Sequence, residues 1–389
     1  MFDPDSFASF STRAVHAGLC PDPATGAIVT PIHQTTTYVL DGVGRDRGYT
    51  YTRTHNPTVA ALEAHLGALE DAPPAVCFGT GLAAIASTIV AHCDGGDHVV
   101  CGAAVYGGTY RLLDRVLARF GVETSFVDAT VPDAIADAIR PRTKLVLAET
   151  PANPTLVLTD IAAVAARCHD RGVPLAIDNT FLTAALQQPL ALGADLTITS
   201  TTKYVEGHNT TVGGAVVTRD PERLERLRFV RNALGTTIAP FDAWLTLRGS
   251  QTLPLRLDAH SRSALRVASW LDLCAPVASV VHPDLPSFPQ RELARRQHRA
   301  GGGTLGFELR GGFDEAVRFL GALRLCALAE SLGAVQTLVT HPASMTHAAI
   351  PRDDRLRLGI TDGWIRLSVG LEDPDDLIAD LAAALAVST

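Results

Sequence analysis

The sequence predicts an α/β protein in which a mainly parallel, seven-stranded sheet is covered by helices on both faces, followed by a smaller α+β unit. Through about residue 248, short apolar runs alternate with segments of helical period, as in parallel sheets whose crossovers are helices. Beyond that point the alternation stops. The predicted strands of the sheet are Ala75–Phe78, His98–Cys101, Val122–Val127, Lys144–Glu149, Pro174–Asp178, Asp195–Ser200 and Gly214–Thr218.

We expect three parts along the chain: an N-terminal arm over 1–52, a sheet-containing domain over 53–248 and a C-terminal domain over 249–389. The arm is predicted from scattered Pro, Gly, Thr and Asp without a regular period. Asn56 and Pro57 suit the N-cap and the first position of the helix that follows it. The elements predicted for the third part are a helix around Leu255–Leu273, strands Thr304–Leu309 and Trp364–Val369, and a terminal helix, with loops at His282–Pro289 and Gly301–Gly303.

The composition argues against several classes of protein. The 389 residues include 33 Lys and Arg against 41 Asp and Glu, a net charge of −8, with no basic stretch suited to a nucleic acid. No apolar run reaches the roughly 18 residues of a membrane span, and the start lacks signal-peptide order, so we expect a cytoplasmic protein without membrane contact. Seven cysteines without a CxxC pair predict reduced thiols. His341 and His347 lack the spacing of a helical zinc pair, so we predict no metal site.

Lysine is unusually rare in this chain. Lys144 and Lys203 are the two lysines among 33 basic residues, so arginine serves wherever charge alone is needed. A remaining lysine is therefore a candidate for amine chemistry, because arginine stays protonated and forms no imine. The alternative is that both lysines persist by chance.

Two predicted strands end in residues that suit one cofactor. Asp178 ends one strand and Lys203 follows the next, so a carboxylate and an amine meet at one edge of a parallel sheet. Pyridoxal phosphate requires this pair: a lysine for a Schiff base and an acid that keeps the pyridine nitrogen protonated. Lys144 precedes its strand and is expected at the opposite edge. A buried Asp–Lys ion pair is the alternative.

A phosphate-binding corner is predicted beside this pair. Gly81 and Leu82 lie between a strand and a helix, where backbone N–H groups receive anions, and Ser200 and Thr202 add hydroxyl groups. The same glycines form a GxGxxA string, so an NAD(P)-binding oxidoreductase of the Rossmann type is a remote alternative. Its context fails because the next strand ends without an acid for a ribose.

Eight ordered motifs carry a family resemblance over nearly the whole chain. They are YTRTHNPT at Tyr51–Thr58, YGGT at Tyr106–Thr109, ETPANP at Glu149–Pro154, DNTF at Asp178–Phe181, STTKYVEGH at Ser200–His208, ESLG at Glu330–Gly333, HPASMTH at His341–His347 and RLSVGLED at Arg366–Asp373. In these motifs the chain resembles the trans-sulfuration, or Cys/Met metabolism, family of pyridoxal-phosphate enzymes, and within it cystathionine γ-synthases and γ-lyases. The resemblance implies the fold-type I architecture of aspartate aminotransferase, pyridoxal 5'-phosphate as cofactor, and a homotetramer of two dimers with active sites shared between subunits.

The resemblance also implies roles for single residues. Lys203 resembles the Schiff-base lysine, Asp178 the partner of the pyridine nitrogen, and Tyr106 the tyrosine stacked on the ring. Asn153 is similar to the asparagine near the cofactor's phenolic oxygen, and Arg366 to the arginine that binds the substrate α-carboxylate. The other matching residues are Gly81, Leu82, Ser200 and Thr202 for the phosphate, Tyr51 and Arg53 for a neighbouring subunit's phosphate, and Ser331 beside Arg366.

The substrate is indicated by two further matches. Glu330 and Arg111 resemble residues of γ-synthases and γ-lyases, Arg111 near the distal end of cystathionine. We therefore expect a small amino-acid substrate and γ-elimination or γ-replacement on cystathionine or an O-acyl-homoserine. Lys203 would act as general base and Tyr106 would assist the leaving group. The alternative within the family is an O-acyl-homoserine sulfhydrylase or a cystathionine β-lyase.

Two single residues and two short segments show how closely the chain follows the family pattern. Gly108 stands where methionine γ-lyases carry a cysteine, which argues against that activity. Thr50 replaces an acid common in γ-lyases. The usual SGM appears as Thr80–Leu82, and the usual GHSD as Gly207–Thr210, which removes an acid close to Lys203.

Overall fold

The structure is a computed structural model that describes residues 9–348 and 351–388. The first eight residues of the predicted arm lie outside the described residues. The α-helices of this part of the chain are α1 Phe10–His16, α2 Pro57–Leu69, α3 Gly81–His92, α4 Gly107–Arg111, α5 Pro132–Ala138, α6 Ile161–His169, α7 Thr183–Leu186, α8 Pro221–Leu234, α9 Pro240–Ser250, α10 Leu253–Leu271, α11 Arg291–Gln297, α12 Gly312–Ala322, α13 Arg352–Arg357 and α14 Pro374–Ser388. A π-helical turn occupies Leu112–Val116, and 3₁₀ turns occupy Leu117–Phe120 and Pro189–Leu192.

The larger sheet confirms the predicted α/β fold class. Its seven strands have the spatial order β1-β7-β6-β5-β4-β2-β3. Strands β2 to β6 pair in parallel, whereas β7 is antiparallel to both β6 and β1. Each end of every strand lies within one residue of its prediction: β1 Val76–Phe78, β2 His98–Gly102, β3 Glu123–Val127, β4 Thr143–Glu149, β5 Leu175–Asp178, β6 Leu196–Thr199 and β7 Gly214–Val217.

Helices cover both faces of this sheet because its strands are apolar on both sides. Alternate residues of β4 enter different cores: Leu145 and Leu147 pack with α3 and α8, while Val146 and Ala148 pack with α5 and α6. Successive side chains of a strand point to opposite faces, so a strand buried on both sides is a continuous apolar run. Lys144 is the exposed second residue of β4, at the predicted amino end of that strand.

The smaller, five-stranded sheet has the order β10-β11-β12-β9-β8 and is antiparallel except for the β10–β11 pair. Its strands are β8 Val277–Val281, β9 Thr304–Leu309, β10 Ala327–Leu328, β11 Leu338–Thr340 and β12 Trp364–Ser368. Only β9 and β12 were predicted. Strands β10 and β11 are two and three residues long and offer too few positions for a pattern, and β8 has two exposed residues in succession, so it shows neither alternation nor a continuous buried run. Helices α10, α12 and α14 pack on this sheet around a separate apolar core.

The arm is mostly irregular, as predicted, but it contains α1. Phe10 and Ala14 of this helix are buried in a core shared with α2. Two buried positions in seven residues are too few to give a periodic pattern in the sequence. Asn56 caps α2 as predicted, since its side chain accepts hydrogen bonds from the N–H groups of Thr58 and Val59. The boundaries at residues 52 and 248 stay predictions. No helix within the described ranges is long and apolar enough to span a membrane.

Candidate active site

A cavity of about 400 Å³ lies at the carboxyl ends of β4, β5 and β6, where the start of α3 and loops from the smaller sheet close over it. We call it the central cavity. Eleven of the fourteen predicted site residues line it, namely Gly81, Leu82, Tyr106, Asn153, Asp178, Ser200, Thr202, Lys203, Glu330, Ser331 and Arg366. Parallel strands bring their carboxyl ends to one edge, which is why residues far apart in sequence meet here.

The start of α3 forms one corner of the central cavity. Thr80 caps the helix by accepting a hydrogen bond of 2.9 Å from the N–H of Ala83. A side chain at Gly81 would place its Cβ 2.6 Å from the Cβ of Ser200, so glycine alone permits this approach to the end of β6. The corner therefore combines the unpaired N–H groups of a first helical turn with the hydroxyl groups of Ser200 and Thr202, a donor set suited to phosphate.

Lys203 lies in the turn after β6 and points into the central cavity. Its Nζ donates a 2.8 Å hydrogen bond to Oγ of Ser331. Burial and the nearby Arg366 guanidinium lower the pKa of Lys203 to about 8, and the Glu330 carboxylate opposes that shift. A substantial fraction of the amine is therefore neutral near physiological pH, which a nucleophile or a general base requires.

Asp178 ends β5 at the floor of the same cavity. Its Oδ1 accepts hydrogen bonds from the N–H and the hydroxyl of Thr180, at 3.0 and 2.5 Å. Oγ1 of Thr180 in turn accepts one from the N–H of Ser200, which joins the ends of two strands. Burial raises the pKa of Asp178 despite these bonds. A buried carboxyl group of this kind favours a positively charged neighbour, such as a protonated ring nitrogen.

Glu149 ends β4 directly beside Asp178 in the register of the sheet. Its two carboxylate oxygens accept hydrogen bonds from the N–H groups of Tyr106 and Asn153, at 2.6 and 2.9 Å. Burial and the Asp178 carboxylate raise the pKa of Glu149 to about 8. Sequence reasoning missed this residue, although it follows the same strand-end rule that identified Asp178.

Arg366 reaches the central cavity from β12 of the smaller sheet. Its guanidinium donates to Oδ1 of Asn153 at 2.9 Å, to the carbonyl of Ser331 at 2.6 Å and to Oγ1 of Thr340 at 3.0 Å. All three acceptors are neutral, and burial lowers the pKa of Arg366 to about 10. A buried guanidinium with neutral acceptors favours an incoming carboxylate.

The backbone of Ser331 is strained where it meets both cations. Ser331 has a φ of 107°, in a region that L residues rarely adopt, and it presents its hydroxyl to Lys203 and its carbonyl to Arg366. Strain of this kind persists only where surrounding contacts impose it.

Three predicted residues lie outside the central cavity of their own chain. Arg53 donates to the carbonyl of Asn232 at 2.8 Å, and its guanidinium lies over the ring of Tyr51. Arg111 ends α4 and is exposed. Tyr51 and Arg53 were predicted to serve a neighbouring subunit, and their roles and that of Arg111 stay predictions.

Local structure explains one of the sequence departures, Thr210, and the glycine at position 108. Thr210, in place of an acid, donates its hydroxyl to the buried Glu206 at 2.6 Å, where an acid would set two carboxylates against each other. Gly108 lies against the Tyr106 ring, and a Cβ there would overlap that ring. A cysteine at this position would displace the ring.

Other cavity residues were missed for different reasons. Thr180 follows a predicted strand end and was within reach of the strand-end rule, as Glu149 was. Val212 and Thr346 line the cavity from loops, and nothing in their local sequence indicates it.

Sequence and structure comparisons identify the family. Residues 11–386 match the model of the Cys/Met metabolism PLP-dependent enzymes. The chain belongs to this family. It is 46% identical over 375 residues to a cystathionine γ-lyase of Bacillus subtilis, covering 96% of this chain and 98% of that protein. It is 44% identical over 376 residues to a cystathionine β-lyase of Coxiella burnetii, covering 96% and 97%.

Among solved structures, a cystathionine γ-synthase from Xanthomonas oryzae pv. oryzae, in complex with aminoacrylate and cysteine, superposes with a TM-score of 0.96 at 44% identity, covering 98% of this chain and 99% of that one. The family confirms the predicted fold-type I architecture, the enzyme assignment and pyridoxal 5'-phosphate (PLP) as cofactor. It also sets aside the NAD(P)-binding alternative.

The residues of the central cavity fit this cofactor. The donor corner at Gly81, Ser200 and Thr202 suits its phosphate, the buried Asp178 suits a cationic ring nitrogen, and the amine of Lys203 lies in the same cavity. The described residues contain no group of three or more His, Cys, Asp or Glu that would hold a metal ion. His341 instead uses both ring nitrogens for bonds to Ser344 and the carbonyl of Asp362.

Proposed function

We propose that this enzyme catalyses γ-elimination or γ-replacement on cystathionine or an O-acyl-homoserine, as cystathionine γ-lyases and γ-synthases do. The observation that carries the proposal is the Glu330 carboxylate, which lines the central cavity beside Ser331 and acts electrostatically on Lys203. An acid at this place suits the distal ammonium group of a long amino-acid substrate. The similarity to relatives named for both γ and β chemistry supports the family without deciding between them.

The space beyond Glu330 is consistent with a long substrate. A second cavity of about 580 Å³ shares Thr202, Val212, Glu330 and Ser331 with the central cavity. Asp242 also lines it, so two carboxylates face the space into which the distal half of cystathionine would extend.

The residues of the chain divide the chemistry between them in this proposal. Gly81, Leu82, Ser200 and Thr202 hold the phosphate of PLP and Asp178 its ring nitrogen. Bound PLP supplies an electron sink for the charge that develops on the substrate α carbon. Arg366 and Ser331 hold the α-carboxylate of the substrate.

Proton transfer is assigned to two side chains. Nζ of Lys203 takes the proton from the α carbon. In the γ branch, Nζ would pass that proton to bound PLP, which would free the amine to take a second proton from the β carbon. Its pKa of about 8 suits both uptake and return of a proton near neutral pH. Tyr106, whose side chain lines the cavity, would contact bound PLP and would give a proton to the leaving group.

Product analysis tests the proposal. The PLP-loaded enzyme is incubated with L-cystathionine, and the keto acid is identified: γ cleavage yields 2-oxobutanoate and β cleavage yields pyruvate. Parallel reactions offer an O-acyl-homoserine with L-cysteine, measuring cystathionine, and with sulfide, measuring homocysteine. Formation of 2-oxobutanoate or cystathionine supports the proposal. Pyruvate alone would make the enzyme a β-lyase, and use of O-acyl-homoserine with sulfide but not cysteine would make it a sulfhydrylase.

We also propose the homotetramer with shared active sites, and a cytoplasmic location. Apolar side chains of the arm are largely exposed in the single chain, with Ile28 at 81% and Val39 at 89%, as expected for a segment that contacts another subunit. Light scattering tests the tetramer and cell fractionation tests the location. Mixing inactive Lys203→Ala with inactive Arg53→Ala subunits tests sharing, because hybrid dimers regain activity only if Arg53 serves the other chain's site.

A further inference from the structure

Glu149 is a buried acid at the active edge of the sheet for which the proposed chemistry has no use. It is 6% exposed, it ends β4, and it lies opposite Asp178 in the parallel register. A glutamate is rarely buried unless each oxygen has a partner, because moving a carboxylate out of water costs several kcal/mol. Its partners therefore indicate what the residue is for.

Those partners are the backbone N–H groups of two residues assigned to the cofactor. Oε2 accepts from Tyr106 at 2.6 Å and Oε1 accepts from Asn153 at 2.9 Å. Tyr106 is the N-cap of α4 and Asn153 lies in the turn after β4, 47 positions further along the chain. A single side chain thus sets the position of two loops that approach the cavity from different elements.

The connection extends to the substrate-binding arginine. Oδ1 of Asn153 accepts a hydrogen bond of 2.9 Å from Arg366, a residue of the smaller sheet. The chain of contacts from Glu149 through Asn153 to Arg366 therefore links the cofactor side of the cavity to its carboxylate-binding side.

We propose that Glu149 is a positioning residue, whose carboxylate holds the Tyr106 ring and the Asn153 amide in the places that PLP requires. The proposal rests on the placement of PLP given under Proposed function. Burial and Asp178 raise the pKa of Glu149 to about 8, and a cationic ring nitrogen beside Asp178 would favour its ionised form. Because the ionised form accepts both N–H bonds, cofactor binding would strengthen these bonds, and the bonds in turn would strengthen cofactor binding.

The variant Glu149→Gln tests whether the two hydrogen bonds of the carboxylate matter, or only the volume of the side chain. Glutamine has nearly the same shape but one acceptor oxygen, and its NH₂ group would face an N–H donor, so one of the two bonds is lost. The matched control is Glu315→Gln, since Glu315 is also buried and accepts a backbone N–H bond, from Gly311, but lies on α12 away from the central cavity.

The test measures PLP binding rather than turnover. Apoenzymes of the wild type and both variants are titrated with PLP by equilibrium dialysis, and the visible circular dichroism of the bound cofactor is recorded. We expect about tenfold weaker binding for Glu149→Gln, the effect of one lost charge-assisted bond, with an altered dichroism signal, and no change for Glu315→Gln.

Wild-type affinity and dichroism in Glu149→Gln would overturn the inference. If Glu149→Gln does not fold, Glu149→Asp replaces it, because the shorter side chain keeps the charge but withdraws the oxygens from Tyr106 and Asn153. Unchanged dichroism in that variant would equally refute the inference. Wild-type protein that bound no PLP would instead refute the proposed cofactor site itself, which distinguishes the two failures.

Discussion

Lys203 is predicted to destabilise the apoenzyme in which it resides. Its pKa falls from 10.5 to about 8 on folding, a difference worth about 3 kcal/mol at about 1.4 kcal/mol per unit. Replacing it with methionine removes that cost but also removes the bond to Ser331, worth about 1 kcal/mol. We therefore expect the free energy of unfolding of the Lys203→Met apoenzyme to exceed that of the wild type by about 2 kcal/mol at pH 7.

The sign of the pH dependence follows from the direction of the shift. Between about pH 8 and 10.5 the unfolded chain keeps the Lys203 proton while the folded chain loses it. The free energy of unfolding of the wild type therefore rises with pH in this range, whereas that of the variant has no such contribution. Below about pH 8 the full cost of the buried charge is present. The difference in free energy of unfolding between the variant and the wild type should therefore decrease by about 1.4 kcal/mol per pH unit above pH 8.

Urea unfolding of PLP-free protein at about pH 7 and about pH 9.5 measures this gap. The control is Lys144→Met, because Lys144 is exposed at the other edge of the sheet and its replacement should shift stability equally at both pH values. With PLP added, Lys144→Met keeps the visible absorbance of covalently bound cofactor and Lys203→Met loses it. A Lys203→Met apoenzyme less stable than wild type at pH 7, or a gap independent of pH, would refute the reasoning.

Three other substitutions test single parts of the site. Arg366→Lys should raise KM for the amino-acid substrate about 10- to 100-fold at unchanged PLP content, because lysine cannot make the bidentate contact, and a steady-state assay with a PLP titration checks both quantities. Gly81→Ala should weaken PLP binding to the apoenzyme, since the new Cβ would lie 2.6 Å from that of Ser200; unchanged affinity by dialysis would count against the phosphate corner. Glu330→Gln should raise KM for cystathionine at least about tenfold while KM for an O-acyl-homoserine, which lacks the distal ammonium group, stays constant; equal effects on both would remove Glu330 from substrate recognition.

The main features of the fold were predictable because the strands of the larger sheet are buried on both faces. Continuous apolar runs between helical segments mark such strands clearly, and all seven were located to within one residue at each end. The smaller sheet was less predictable. Its strand β11 is held by pairing with β12 and its strand β10 by pairing with β11, rather than by a pattern of their own.

Part of the site was predictable because ligands of parallel sheets bind beyond the carboxyl ends of the strands. That rule, with the rarity of lysine, selected Asp178 and Lys203, and the ordered motifs added the corner at Gly81 and the arginine Arg366. Glu149 was overlooked although it satisfies the same rule. Its importance lies in hydrogen bonds to backbone groups of Tyr106 and Asn153, and backbone donors have no signature in sequence.

The sequence by itself determined the α/β class, the strands of the larger sheet, the family and the pairing of an acid with an amine. These depend on local apolar periodicity and on chemically distinctive residues, which are present in the linear order of the chain. Only the tertiary structure decided that Ser331 bonds to both Lys203 and Arg366 and that the amine has a pKa of about 8. Burial and charge proximity set the pKa of Lys203, and they come from residues such as Glu330 and Arg366, which lie more than a hundred positions from it along the chain.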